Sequence, residues 1–142
     1  MKPRKGFAVT VGLDLAEIDR VNAAFAAFAE AEQLPAKLGR TMRVAFDELL
    51  NNTISYGFRG RETGLITVDV GLVESLMTVT ITDDGKAFDP LQAEAPDTGR
   101  STQQRQIGGL GIYLVRQAMD AVRYERLDDR NVLTLEKTIT ED

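Results

Sequence analysis

Three small groups of residues in this sequence carry chemistry that packing alone does not require. Glu48 and Asn52 stand four apart, which puts them on one face of a helix. A carboxylate there can take or orient a proton, and an amide oxygen can hold a hard cation. Asn is a poor mid-helix residue because its side chain competes for the backbone, so the successive pair Asn51-Asn52 points to one being kept for its oxygen. The plain alternative is the solvent face of an amphipathic helix. Asp83 continues an inward series of Met77, Val79 and Ile81, so strand alternation turns a carboxylate toward the core. Such a group is costly unless it accepts hydrogen bonds. It could also simply cap the Asp84-Gly85 turn. Gly108, Gly109 and Gly111 lead into a helical pattern. Glycines admit close backbone approach, and a helix start offers unpaired N–H groups and partial positive charge. Together these suit an anion such as phosphate, with a plain hinge as the alternative. The cluster lacks the Gly-Lys-Ser/Thr of a P-loop, and no strand leads directly into it as in a dinucleotide fingerprint.

The elements that must position these groups follow from periodicity. Phe7 to Val11 alternates and reads as a strand. Ile18, Val21, Phe25 and Phe28 form one apolar stripe, predicting a helix over Glu17 to Gln33, with Asp14 and Glu17 as a capping box. Pro35 starts a second helix, Ala36 to Tyr56, whose Met42, Phe46, Leu49, Leu50 and Thr53 share a face. Two strands, Leu65 to Leu72 and Leu76 to Asp83, are joined by a short Val73-Glu74-Ser75 connection and so pair antiparallel. From Asp84 to Gly108 no period is evident, and a loop this long inside a small domain is usually functional or disordered. A helix from Leu110 to Ala121 follows. The last two strands, Val122 to Leu127 and Val132 to Ile139, are joined by Asp128-Asp129-Arg130-Asn131. This order predicts an α/β (α+β) two-layer sandwich: a mixed sheet of about five strands, covered on one face by three helices.

The chain has 142 residues, 43% of them apolar, with a net charge of −5, which fits one globular domain over 1–142. No basic block is present, so neither nucleic acid nor an anionic membrane is an expected partner. With no Cys there is no thiolate nucleophile or thiolate metal site, and with no His there is no Ser-His or Cys-His catalysis. Acid-base chemistry falls to carboxylates, Lys or Tyr. No apolar run is long enough to span a membrane and the first residues lack a signal-peptide pattern, so a cytoplasmic location is expected.

The order of the three groups is more specific than any one of them. A helix with Glu and Asn, a strand ending Asp-x-Gly, a long loop and then Gly-x-Gly opening a helix resembles the Bergerat-fold ATPases of the gyrase, chaperone, histidine kinase and mismatch-repair superfamily. The resemblance runs from about Phe7 to Ile139. The phrases Ala45-Phe46-Asp47-Glu48-Leu49-Leu50-Asn51-Asn52 and Gly109-Leu110-Gly111-Ile112-Tyr113-Leu114-Val115 look most like the bacterial anti-sigma serine-protein kinases of the RsbW type.

That resemblance implies a role for each residue. Glu48 is the candidate catalytic base, and Asn52 the Mg²⁺ ligand. Asp83 accepts from the adenine amino group, and Gly85 lets adenine approach. Residues of about 88–108 form an ATP lid, and the backbone around Gly109, Leu110 and Gly111 holds phosphate. Ala87 stands where the family has a second glycine, a change that stiffens the turn. Tyr56 stands where these kinases often have His. Either Asn131 or Thr134 takes the place of a last-strand Thr that helps to bind adenine. Arg100 or Arg105 could reach a γ-phosphate, a solvated loop charge being the alternative. The cofactors implied are ATP and Mg²⁺, and the activity is phosphorylation of a Ser or Thr on a protein. The implied partners are a sigma factor and an anti-sigma-factor antagonist, and a homodimer is compatible with the resemblance. The alternative is an ATP-dependent protein-binding switch without phosphotransfer. A histidine kinase catalytic module is disfavoured by the absence of His and of upstream dimerisation helices.

Overall fold

Alternating apolar residues build the sheet in this computed structural model, which describes residues 5–91 and 111–140. The strands are β1 (Lys5–Val11), β2 (Ile66–Val73), β3 (Leu76–Asp83), β4 (Ala121–Leu127) and β5 (Arg130–Thr138), in the sheet order β1-β2-β3-β5-β4. Every neighbouring pair is antiparallel, which corrects the mixed sheet expected from the sequence. The physical reason lies in β5, which hairpins back from β4 and inserts beside β3. Among the described strands only β2–β3 and β4–β5 are hairpins. The β1 to β2 connection passes through two helices and still returns the chain antiparallel. The connection that includes helical residues 111–118 leads to the edge strand β4 rather than to a parallel neighbour of β3. The five strands and the two layers are as expected.

One face of the sheet is apolar because each strand contributes alternate residues to it. Val68, Val70, Met77, Val79 and Leu135 are fully buried. The helices α1 (Ile18–Ala31) and α2 (Ala36–Asn52) bury the stripes read from their spacing, Ile18, Val21, Phe25 and Phe28 on the first and Met42, Phe46, Leu49 and Leu50 on the second. Residues 111–118 form a further helix, α3, which buries Ile112 and Val115. Phe25 packs on Phe46 and Phe28, with ring centroids 5.5 and 6.4 Å apart. Such tilted aromatic pairs add about 0.5–1.5 kcal/mol each beyond area burial. Among the described residues no helix is long and apolar enough to cross a membrane.

Local signals set the helix ends. Asp14 accepts from the Ala16 N–H at 2.9 Å and caps a short 3-10 turn, Leu15–Glu17, that leads into α1. The expected capping box does not form: Asp14 takes the N–H of Ala16 rather than that of Glu17, and the Glu17 carboxylate reaches Gly12 N–H at 3.4 Å rather than Asp14 N–H. At its other end α1 closes with Gln33 at φ 57°. Leu34 N–H bonds Ala29 O at 2.9 Å and Gln33 N–H bonds Glu30 O at 3.2 Å, the paired bonds of a Schellman motif. A Cβ is strained at that φ. Gln33→Gly is therefore expected to stabilise the fold by about 1 kcal/mol, read as a raised denaturation midpoint at unchanged slope.

The helix α2 does not run on as an α-helix to Tyr56. It widens into a π-helical turn, Thr53–Gly57. Such turns insert an extra residue and are frequent at functional sites. This one delivers the Gly57 carbonyl to the end of β3, where it accepts Lys86 N–H at 3.0 Å.

Candidate functional site

Two of the three groups occupy the ends of elements on the helix-covered side of the sheet. Asp83 closes β3 directly opposite Asn131 of β5. It is 5% exposed, as alternation predicted. Its Oδ1 accepts from Gly85 N–H and from Asn131 Nδ2, both at 2.9 Å. Among the described residues no donor reaches Oδ2. No fully buried side-chain polar atom among them lacks a partner, so Oδ2 must border accessible space. One oxygen is thus held by the protein, and the other can accept from a ligand. Burial raises the pKa of this carboxylate, and the bonds from Asn131 and Gly85 oppose the rise. Turn capping and an inward-facing carboxylate were alternatives in the sequence, and the geometry shows both at once.

Gly85 has to be glycine for a local reason. A Cβ there would lie 2.7 Å from the carbonyl oxygen of Gly57 and 3.0 Å from Asp83 Oδ1. The π-helical turn and the Asp-x-Gly turn are therefore pressed together, which fixes one wall of the site.

Asn131 is the hub behind Asp83. Besides Asp83, its Nδ2 donates to Lys86 O at 2.8 Å. Its Oδ1 accepts from Phe88 N–H and Arg126 Nη1, both at 3.2 Å, and from the Tyr124 hydroxyl. Arg126 also donates to Gly85 O at 2.8 Å. Of the two last-strand candidates, Asn131 adjoins Asp83, whereas Thr134 pairs with Thr80 on the opposite face of the sheet. The sequence held a usable signal: Leu133 and Leu135 point inward, so parity points Asn131 inward too. Tyr124 and Arg126 were missed, because on an edge strand they read as ordinary surface residues.

The second group is Glu48 with Asn52. Asn52 Nδ2 donates to Glu48 Oε2 at 3.0 Å. Neither residue lies on a bare solvent face, since both are half-buried. Residue 111 of α3 comes directly against Glu48. A Cβ on Gly111 would stand 2.4 Å from Glu48 Cγ and 2.8 Å from Oε1. The glycine stretch and the helix Glu thus meet, which no spacing in the sequence could reveal. Burial raises the pKa of Glu48, and the Asn52 hydrogen bond opposes the rise. Gly111→Ala is expected to cost about 1–3 kcal/mol through this overlap, measured as a lowered thermal midpoint. An unchanged midpoint would mean that α3 does not rest on Glu48.

The remaining candidates are placed as follows. Gly85 is buried and Ala87 is exposed in the turn that follows. Arg100, Arg105, Gly109 and Leu110 lie outside the described residues, as does most of the lid expected at about 88–108. Phe88, near the start of that segment, stacks on Tyr56 with centroids 5.6 Å apart. The Arg59 guanidinium lies 5.5 Å from the Tyr56 ring.

Residues 11–137 match the histidine kinase-like ATPase domain, which is most of the chain. The chain belongs to this family. ATP is accordingly the nucleotide of this ATPase domain, and its two-layer fold is the one that the resemblance implied. The domain is 37% identical over 100 residues to the serine/threonine-protein kinase BtrW of Bordetella bronchiseptica, covering 70% of each chain. It is 34% identical over 86 residues to the serine-protein kinase RsbW of Listeria monocytogenes, covering 58% of this chain and 55% of that one. It is 27% identical over 89 residues to the RsbW of Bacillus subtilis, covering 59% and 55%. The matched region thus spans little more than half the length of these RsbW proteins.

Proposed function

We infer that this protein is a serine/threonine-protein kinase that binds Mg-ATP between Asp83 and the contact of Glu48 with Gly111. The observation that carries this reading is the half-buried carboxylate of Glu48, held by Asn52 and covered by the glycine of the phosphate-side helix. Asp83 Oδ2 accepts from the adenine amino group, and Gly85 admits the ring edge. Backbone N–H groups around Gly109, Leu110 and Gly111 hold the phosphates, and Arg105 meets the γ-phosphate.

The donor set suits Mg²⁺. Among the described residues no cluster of three or more acidic, His or Cys side chains could cage a metal. Mg²⁺ commonly takes one or two protein oxygens and completes its shell with water and substrate phosphate. Asn52 uses Nδ2 on Glu48, so its amide oxygen is the atom that would hold the ion. The ion would neutralise phosphate charge when bound.

The hydroxyl oxygen of the substrate bonds to Pγ as the bond from Pγ to the β–γ bridging oxygen breaks. ADP leaves, and Glu48 orients the hydroxyl or accepts its proton. A raised pKa makes this carboxylate a stronger base than an ordinary surface Glu. BtrW and RsbW bear the names of serine or serine/threonine kinases, which supports the same chemistry here. The partners are a sigma factor, held inactive, and an anti-sigma-factor antagonist that receives the phosphate, and the setting is the cytoplasm.

The test is transfer of labelled γ-phosphate from ATP to candidate antagonist proteins of the same genome. Label on a Ser or Thr of one of them is the expected result. ATP binding with no transfer to any would replace the kinase with a nucleotide-dependent binding switch.

A further inference from the structure

A groove runs along the junction of α2 and α3 to the end of β5, and cations and apolar side chains line it. Two adjoining cavities of about 290 and 370 Å³ share the wall around Lys37 and Ala118. The cations are Lys37, Arg40 and Lys137, and no carboxylate lines either cavity. On a chain of net charge −5, this is a local reversal of sign. Among the described residues these three cations make no hydrogen bond or ion pair. Asp120, the acidic group near Lys137, is engaged by Thr138 N–H at 2.6 Å. The floor is apolar, and its Val44 and Leu114 remain 40% and 39% exposed.

The groove is also aimed. Val44 lies one helical turn before Glu48, and Leu114 one turn after Gly111. Its floor therefore ends about one helical turn short of the point where Glu48 meets Gly111, and is directed at it. An occupant needs apolar side chains for the floor and carboxylates for the rim, spaced for a groove between two helices. We propose that this groove docks an acidic amphipathic segment of the protein that is phosphorylated, delivering its hydroxyl to Glu48. The destination of the hydroxyl rests on the kinase reading, whereas the docking itself does not.

The test separates the two. A fluorescein-labelled helical peptide, leucine on one face and glutamate on the other, is titrated with the full chain and followed by anisotropy. Lys37→Glu combined with Arg40→Glu changes two exposed side chains and leaves the core untouched. The expected result is binding by the unchanged protein and a loss of about tenfold or more in the double variant. The matching peptide with lysine for glutamate should bind the double variant better than the unchanged protein. Equal binding by both proteins, no preference between the peptides, or no binding of the glutamate peptide would each overturn the proposal. In the phosphotransfer assay the double variant should raise KM for the protein substrate while kcat and ATP affinity stay unchanged. If the unchanged protein binds the acidic peptide but transfers no phosphate, the kinase reading fails and the groove stands.

Discussion

Replacing Asp83 with Asn is expected to abolish ATP binding and leave the fold intact. Gly85 N–H and Asn131 Nδ2 both donate to Oδ1, so that position must remain an acceptor. The carboxamide of Asp83→Asn then has to place its NH₂ where Oδ2 stood, facing the adenine amino group with a second donor. Loss of a charge-assisted bond, plus a donor opposed to a donor, should weaken ATP by at least about a hundredfold. A 6-oxopurine offers an acceptor at that point, so inosine triphosphate should lose less affinity than ATP, or gain. Stability should move the other way. The folded-state pKa of Asp83 is raised, chiefly by burial. A carboxylate with a raised pKa contributes stability below its unfolded-state pKa, and loses it as pH rises through the folded-state value. At neutral pH the ionised Asp83 therefore costs stability, and Asp83→Asn removes that cost. Thermal melts of both proteins from acid to neutral pH, beside calorimetric ATP titrations, decide the matter. Unchanged ATP affinity would sink the adenine assignment, and a collapsed fold would make Asp83 a structural residue only.

Glu48→Ala is expected to keep ATP and lose phosphotransfer, with kcat lower by about 10²–10⁴. The nucleotide contacts assigned to Asp83 and to the glycine stretch do not involve its carboxylate. The pH profile adds a signature that a packing role would not give. Burial raises the Glu48 pKa, so transfer should climb with pH through a midpoint above the ordinary Glu value of about 4.3. In Glu48→Ala that acid limb should vanish. Wild-type turnover in the variant, or an unaltered limb, would move the base to another residue.

Periodicity carried most of the fold. The stripe of Ile18, Val21, Phe25 and Phe28, and the alternation of Met77, Val79, Ile81 and Asp83, each report a local geometry that burial enforces. The sense of the sheet was not legible, because the placing of β5 beside β3 depends on a long-range pairing. The π-helical turn left no spacing that differs from an ordinary helix over Thr53 to Tyr56. In the site, Asp83 could be read because a carboxylate in an apolar series contradicts its surroundings. The meeting of Gly111 with Glu48 could not, since the two lie on separate helices and a glycine carries no sign of what presses on it. Asn131 was half legible: parity with Leu133 selects it over Thr134, but its links to Tyr124 and Arg126 exist only in three dimensions.

The bond from Asn131 to Asp83 joins residues 48 apart in sequence. Closing a loop of that length carries an entropy cost, and the wall that would receive adenine exists only once β5 has docked on β3. A ligand that binds this wall favours the docked chain over every open one, by an amount that grows with its concentration. ATP would then act as a folding ligand as well as a phosphate donor. The thermal midpoint of the protein would rise with ATP concentration, and a variant that no longer binds ATP would lose that rise.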